Sequence, residues 1–127
     1  VANKKIRDVL NDGFIQYGVK ETERSARGKQ IGGKFVLMGR LAYQEMSCRE
    51  ADYEMAKVLS GVLDLKIRTH YPPQLQRLNK SKLKVIKDGT EYDVIKVDHD
   101  REKMYLYFYL QEVGTHEQDK TENESTN

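Results

Sequence analysis

The run Leu83–Val113, LKVIKDGTEYDVIKVDHDREKMYLYFYLQEV, constrains the fold more than any other part of the chain. Three strand-like stretches are separated by Asp88-Gly89 and by a charged turn over His99–Lys103. Asp-Gly between alternating apolar residues favours the primed turns whose twist matches the flanking strands, so it joins antiparallel neighbours. Leu83 and Val85 share one face of the first stretch, Tyr92–Val97 returns, and Met104–Val113 closes the unit. In that last stretch Leu106, Phe108 and Leu110 alternate with Tyr105, Tyr107 and Tyr109. Successive strand residues point to opposite faces, so the first trio is expected in the core. The tyrosine face has two open readings: a surface for a neighbouring subunit, or a second core face under a helix or the N-terminal strand.

Upstream, Asp12-Gly13 opens a strand at Phe14–Val19, and Phe35–Tyr43 reads as another, with a bulge or bend at Gly39. Between them lies Arg24–Lys34, RSARGKQIGGK, expected as a glycine-rich loop or hairpin tip. Ser47-Cys48-Arg49-Glu50 matches a capping box, and a helix is expected from there to about Leu59, stopped by Ser60-Gly61. Cys48, Ala51, Met55, Val58 and Leu59 fall on one helical face. Val62–Thr69 alternates as a strand and ends at Tyr71-Pro72-Pro73, because proline has no amide for a ladder. Gln74–Lys82 is a polar connector with room for one helical turn at Leu75 and Leu78. Asn3–Leu10 fits either a short helical turn or an extended arm.

These elements predict a mainly β protein: a small barrel or sandwich of about six or seven antiparallel strands with one short α-helix. With 127 residues the chain has the size of one domain. That domain is expected over residues 1–113, with 114–127 a disordered acidic tail. The tail carries four acids against one lysine, a net −3, so the rest of a chain of net charge +2 holds +5. A modestly basic body is compatible with polyanion contact. The mean hydropathy of −0.78 and the lack of any apolar run near ~18 residues argue against a membrane protein. A single cysteine, Cys48, allows no internal disulfide and fits a reducing compartment.

Three places in the sequence carry residue types suited to chemistry. Gly28–Lys34 matches G-x-x-x-x-G-K, but Phe35 stands where a phosphate-binding loop needs Ser or Thr for magnesium, and a strand rather than a helix follows. Asp98-His99-Asp100 falls at a turn, where such residues are common, and neighbours on a strand diverge. Cys48 reads as a small residue on an apolar helix face. No catalytic residue, cofactor or metal-ligand set is assigned, and an enzyme is not expected. The basic tip Arg24, Arg27, Lys29 and Lys34 is a candidate contact for DNA or a neighbour through phosphates, weighed against a solvated hairpin tip. Lys and Arg are not expected beside the closing tyrosines, which argues against the interleaved platform of a single-strand binder.

Taken in order, SCREADYEMAKVL, LDLKIRTHYPP, LKVIKDGTEYDVIKVD and YLYFYLQEV resemble the head–tail joining family, the head-closure proteins of phages and prophages of Gram-positive bacteria. The opening DGFIQYGVKETERSARGKQIGGKFVLMGRLAY is similar to that family's first hairpin, so the resemblance spans about Asp12–Val113 and rests on order and spacing. It implies a non-enzymatic β-barrel that forms a ring below the portal or adaptor protein, closes the DNA-filled capsid and docks the tail. The location implied is the virion head–tail interface, and the host cytoplasm during assembly. DNA would pass non-specifically through the lumen, without membrane contact. The resemblance makes Arg49, Glu50, Asp52, Glu54 and Lys57 a candidate channel-facing segment. The ring it implies makes Tyr105, Tyr107 and Tyr109 a candidate subunit interface. Two other readings are a tail-terminator or adaptor of the same connector, and a β-barrel nucleic-acid-binding module.

Overall fold

The alternating runs form strands, most of them longer than their apolar centres suggest; the run expected from Val62 begins its strand only at Leu65. The computed structural model describes residues 10–24 and 30–115. Among them are β1 (Gly13–Arg24), β2 (Gln30–Met46), α1 (Glu50–Val58), β3 (Leu65–His70), α2 (Pro73–Gln76), β4 (Lys84–Lys87), β5 (Thr90–His99) and β6 (Tyr105–Thr115). The strands close into one antiparallel barrel in the order β1-β2-β3-β6-β5-β4, with β4 pairing back onto β1. The mainly β class with one short helix is therefore what the chain adopts, as a barrel of six described strands.

The meander follows its turn chemistry. Asp88 and Gly89 have φ of 52° and 78°, as a primed turn requires at both central positions, and Lys87 faces Thr90 across it. In the next turn the Asp100 carboxylate accepts from the amides of Met104 and Tyr105, at 2.8 and 2.9 Å. The Asp98-His99-Asp100 run is thus a strand end and its turn. β6 extends two residues past Val113: Gly114 pairs with Glu91 and Thr115 with Thr90. The barrel therefore takes the first two residues of the expected tail, and 116–127 lie outside the described residues.

Leu106, Phe108 and Leu110 are fully buried, together with Ile15, Tyr17, Ile67 and Val85 from the other strands, Leu75 from α2 and Leu83 just before β4. Each such aliphatic or Phe side chain contributes about 1.5–3 kcal/mol on burial. The bend expected at Gly39 is a bulge: Tyr17 faces Gly39 and Gly18 faces Leu37, leaving Met38 as the extra residue. Bulges add local twist, which a small barrel needs. The strands approach so closely there that a Cβ on Gly18 would lie 2.1 Å from the Val36 carbonyl oxygen. One on Gly39 would lie 2.7 Å from the Tyr17 hydroxyl.

The helix differs from its expected form. Its N-cap is Arg49, not Ser47, and the Asp52 carboxylate rather than Glu50 reaches back, to the Arg49 amide at 2.9 Å. The later start frees Asp52 to take a second partner on β3, described below. The buried face shifts with it. Ala56 is buried and Met55 and Cys48 pack beside it, whereas Ala51 is exposed and Val58 is 83% exposed. The stop is as expected: Ser60 takes φ 62°, and the Gly61 and Ser60 amides donate to the carbonyls of Ala56 and Lys57. That is the Schellman pattern.

Gly18→Ala is expected to lower the unfolding free energy in urea by about 3 kcal/mol, since a backbone carbonyl blocks the new methyl group. Gly39→Ala is expected to cost about 1–2 kcal/mol, because the atoms in its way belong to the Tyr17 side chain and not to the backbone. Equal losses would mean that strand closeness at Gly18 does not set the barrel's tolerance.

Candidate functional site

The outer face of the β3–β6 pair gathers the most polar and aromatic chemistry. Register places Lys66 opposite Tyr109, Arg68 opposite Tyr107 and His70 opposite Tyr105. All six point outward, since Leu65, Ile67 and Thr69 on β3 and Leu106, Phe108 and Leu110 on β6 are the buried, inward set. The Lys66 ammonium lies 5.2 Å from the Tyr109 ring centre, and the Arg68 guanidinium 4.9 Å from that of Tyr105. His70 stacks on Tyr105 at 5.6 Å with an angle of 22° between the rings. Arg68 also donates to the Gln44 side-chain oxygen on β2. Basic residues therefore do stand beside the closing tyrosines, which corrects the expectation from sequence. Alternation along β6 shows its own faces; only the antiparallel register with the distant β3 shows what lies next to them.

One end of this ladder is closed by α1. Asp52 accepts from the Lys66 ammonium at 3.2 Å, with side chains 14% and 12% exposed. Burial pushes the Asp52 carboxyl up, but its hydrogen bonds from the Arg49 amide and from Lys66, with their positive charges, outweigh that and hold it below the usual carboxylate value. Tyr109 is buried with Ala56 and Leu63 beneath the helix, and burial raises its hydroxyl pKa. The three tyrosines thus part company. Tyr109 belongs to a second core, so it is not available as an exposed subunit contact. Tyr107 is half-buried at the edge of that core, and Tyr105 is half-buried beside exposed His70.

The other sequence candidates are scattered. On the helical segment Arg49, Glu50, Glu54 and Lys57 are exposed, while Asp52 turns inward to Lys66. Lys57 and Glu54 form only an exposed pair at 3.9 Å. At the hairpin, Arg24 ends β1 and exposed Lys34 faces Glu21 across the ribbon; Arg27 and Lys29 lie outside the described residues. Gly32, Gly33 and Lys34 are strand residues paired to β1, not a loop leading into a helix. Sequence reasoning missed the pair of Lys20 with buried Glu91, at 3.0 Å, which ties the ribbon to β5. Among the described residues no group of three or more His, Cys, Asp or Glu is placed to hold a metal ion. None of their helices is long and apolar enough to cross a membrane.

Neither a protein-family model nor a curated protein matches the sequence. Solved structures share the fold. A chain from the virion of a native gene transfer agent particle superimposes with a TM-score of 0.51 at 15% identity, over 82% of this chain and 96% of that one. The solution structure of protein SF1141 from Shigella flexneri 2a does so with a TM-score of 0.57 at 11% identity, over 80% of this chain and 92% of that one. At such identities the likeness is one of fold.

Because the folded Asp52 carboxyl is depressed, its contribution is present above the unfolded value of about 3.9 and is lost as pH falls through the folded value. Asp52→Asn is expected to lose about 1–3 kcal/mol at neutral pH, with the gap to the parent closing in acid. Urea unfolding at about pH 7 and about pH 3 checks this. A gap that does not change with pH would assign the loss to packing instead of charge.

Proposed function

We propose that the chain is a structural protein of a phage-like virion. In this reading it is a subunit of the head–tail ring that closes the DNA-filled capsid below the portal or adaptor and docks the tail. The observation that carries the reading is the barrel's likeness to nearly the whole of a chain from a gene transfer agent virion, 96% of it. The ordered resemblance of Asp12–Val113 to head-closure proteins supports the finer reading. Self-association into a ring, contact with portal, adaptor and tail proteins, and passage of DNA through the lumen belong to this proposal. So does a non-catalytic role.

Within such a ring, half-buried Tyr107 and Tyr105 are the tyrosines placed to meet a neighbour, and exposed Glu50, Glu54 and Lys57 are the helical residues placed to face a channel. Lys34 and the hairpin tip offer a further contact for DNA or a neighbouring subunit. The same fold would serve a tail-terminator or adaptor in an adjacent ring.

Particles made without this protein are expected to show, in negative stain, filled heads without tails or heads that have leaked their DNA. Normal infectious particles would sink the proposal. Its presence on purified heads before tail addition separates head closure from tail termination. Tyr107→Ser is expected to weaken assembly into particles more than it lowers the unfolding free energy of the isolated chain; an equal loss of both would return Tyr107 to the core.

A further inference from the structure

We infer that the open end of the β3–β6 ladder is a binding platform for single-stranded nucleic acid, with His70 and Tyr107 as its stacking rings. The inference does not rest on the virion reading, because it concerns what the isolated chain binds.

Away from α1 the ladder is open. His70 is exposed and Arg68 and Tyr105 are half-buried, while half-buried Tyr107 marks the boundary, packing against the core beneath α1. The Tyr105 ring is held by two neighbours, the Arg68 guanidinium at 4.9 Å and the His70 ring at 5.6 Å. The His70 ring thus rests against Tyr105 before any ligand arrives. Preorganised rings lose little freedom on binding, so stacking a base on them is less opposed. Tyr107 stands opposite Arg68 in register, giving a second ring on the same face. The β5–β6 turn places exposed Arg101 and Lys103 just before Tyr105.

Rings interleaved with cations on an open sheet face suit unstacked bases with a backbone running past them. A duplex keeps its bases stacked on each other and would offer this face only phosphates. The charge balance adds a second signature. Arg68, Arg101 and Lys103 stand near exposed Glu102, while exposed Asp98 is paired with Lys96 at 3.9 Å. The platform can therefore neutralise few phosphates. Binding here is expected to depend on stacking, with a shallow salt dependence near −0.7 per phosphate, or about −2 in all. Binding through the basic sequence segment Arg24–Lys34, which carries four cations, would be steeper and indifferent to rings.

The test titrates the full chain into a short labelled single-stranded oligonucleotide of mixed sequence, and into a duplex of the same length, by fluorescence anisotropy at several salt concentrations. The single strand is expected to bind at least about tenfold more tightly than the duplex. His70→Ala and Tyr107→Leu are each expected to weaken it about tenfold, while Tyr107→Phe, which keeps the ring, retains binding. His70 is exposed, so its variant should fold even if Tyr107→Leu does not. The inference is overturned by no binding at about 0.1 mM, the weak end of the non-specific range. It is overturned equally by duplex binding as tight as single-strand binding, or by His70→Ala binding like the parent. If these residues affect only particle assembly, the face is a protein interface and the inference is wrong while the virion proposal stands.

Discussion

The fold depends on a pairing of three residues. Gln16–Gly18 of β1 meet Lys84–Ile86 of β4, and that contact turns a six-stranded sheet into a barrel. Without it β1 and β4 would both present open edges, the feature that invites strands from other chains. So short a seam closes only if the sheet coils strongly before reaching it. Four register shifts among the described strands supply the coiling, among them the bulges at Met38 in β2 and at Ile95 in β5. The first requires glycine where the strands nearly touch. The second places Ile95 outward beside Gly61, where it packs in the second core, while Val94 stays against the first.

That second core explains how a nine-residue helix with little apolar character is held. Asp52 acts twice. It accepts from the Arg49 amide, which stabilises the start of α1, and from Lys66, which fastens α1 to β3. Helix formation and helix docking therefore share one carboxylate. A short isolated helix is marginal in water, so this coupling matters more than propensity. Burying the pair has its own cost, which the additional bonds to Arg49 and the Tyr109 ring help to offset.

Much of this was legible in the sequence where the determinant is local. Asp88-Gly89, the stop at Ser60-Gly61, the bulge at Gly39 and the inward Leu106, Phe108 and Leu110 all rest on neighbours a few residues apart. The misplaced features rest on distant partners. Ser47 has the better local cap signal, yet Arg49 caps the helix because Asp52 gains Lys66. Gln30–Lys34 looks like loop by composition, yet it is strand because Glu21, Thr22 and Glu23 lie opposite to receive it. The ladder of cations and tyrosines is invisible along either strand and exists only in their register.

The helix also decides how much of that ladder a partner can reach. Its open end needs no rearrangement. Its closed end holds Lys66 and Tyr109, and access there means breaking the Asp52–Lys66 pair and uncovering Ala56 and Leu63. Removing Asp52 from the pair leaves the Lys66 ammonium without its partner, a cost of about 1–3 kcal/mol. A partner can avoid that cost only by bringing its own anion to Lys66, a carboxylate or a phosphate in place of Asp52. A neutral or cationic partner does not offset that cost, so the pair favours an acidic partner at the closed end.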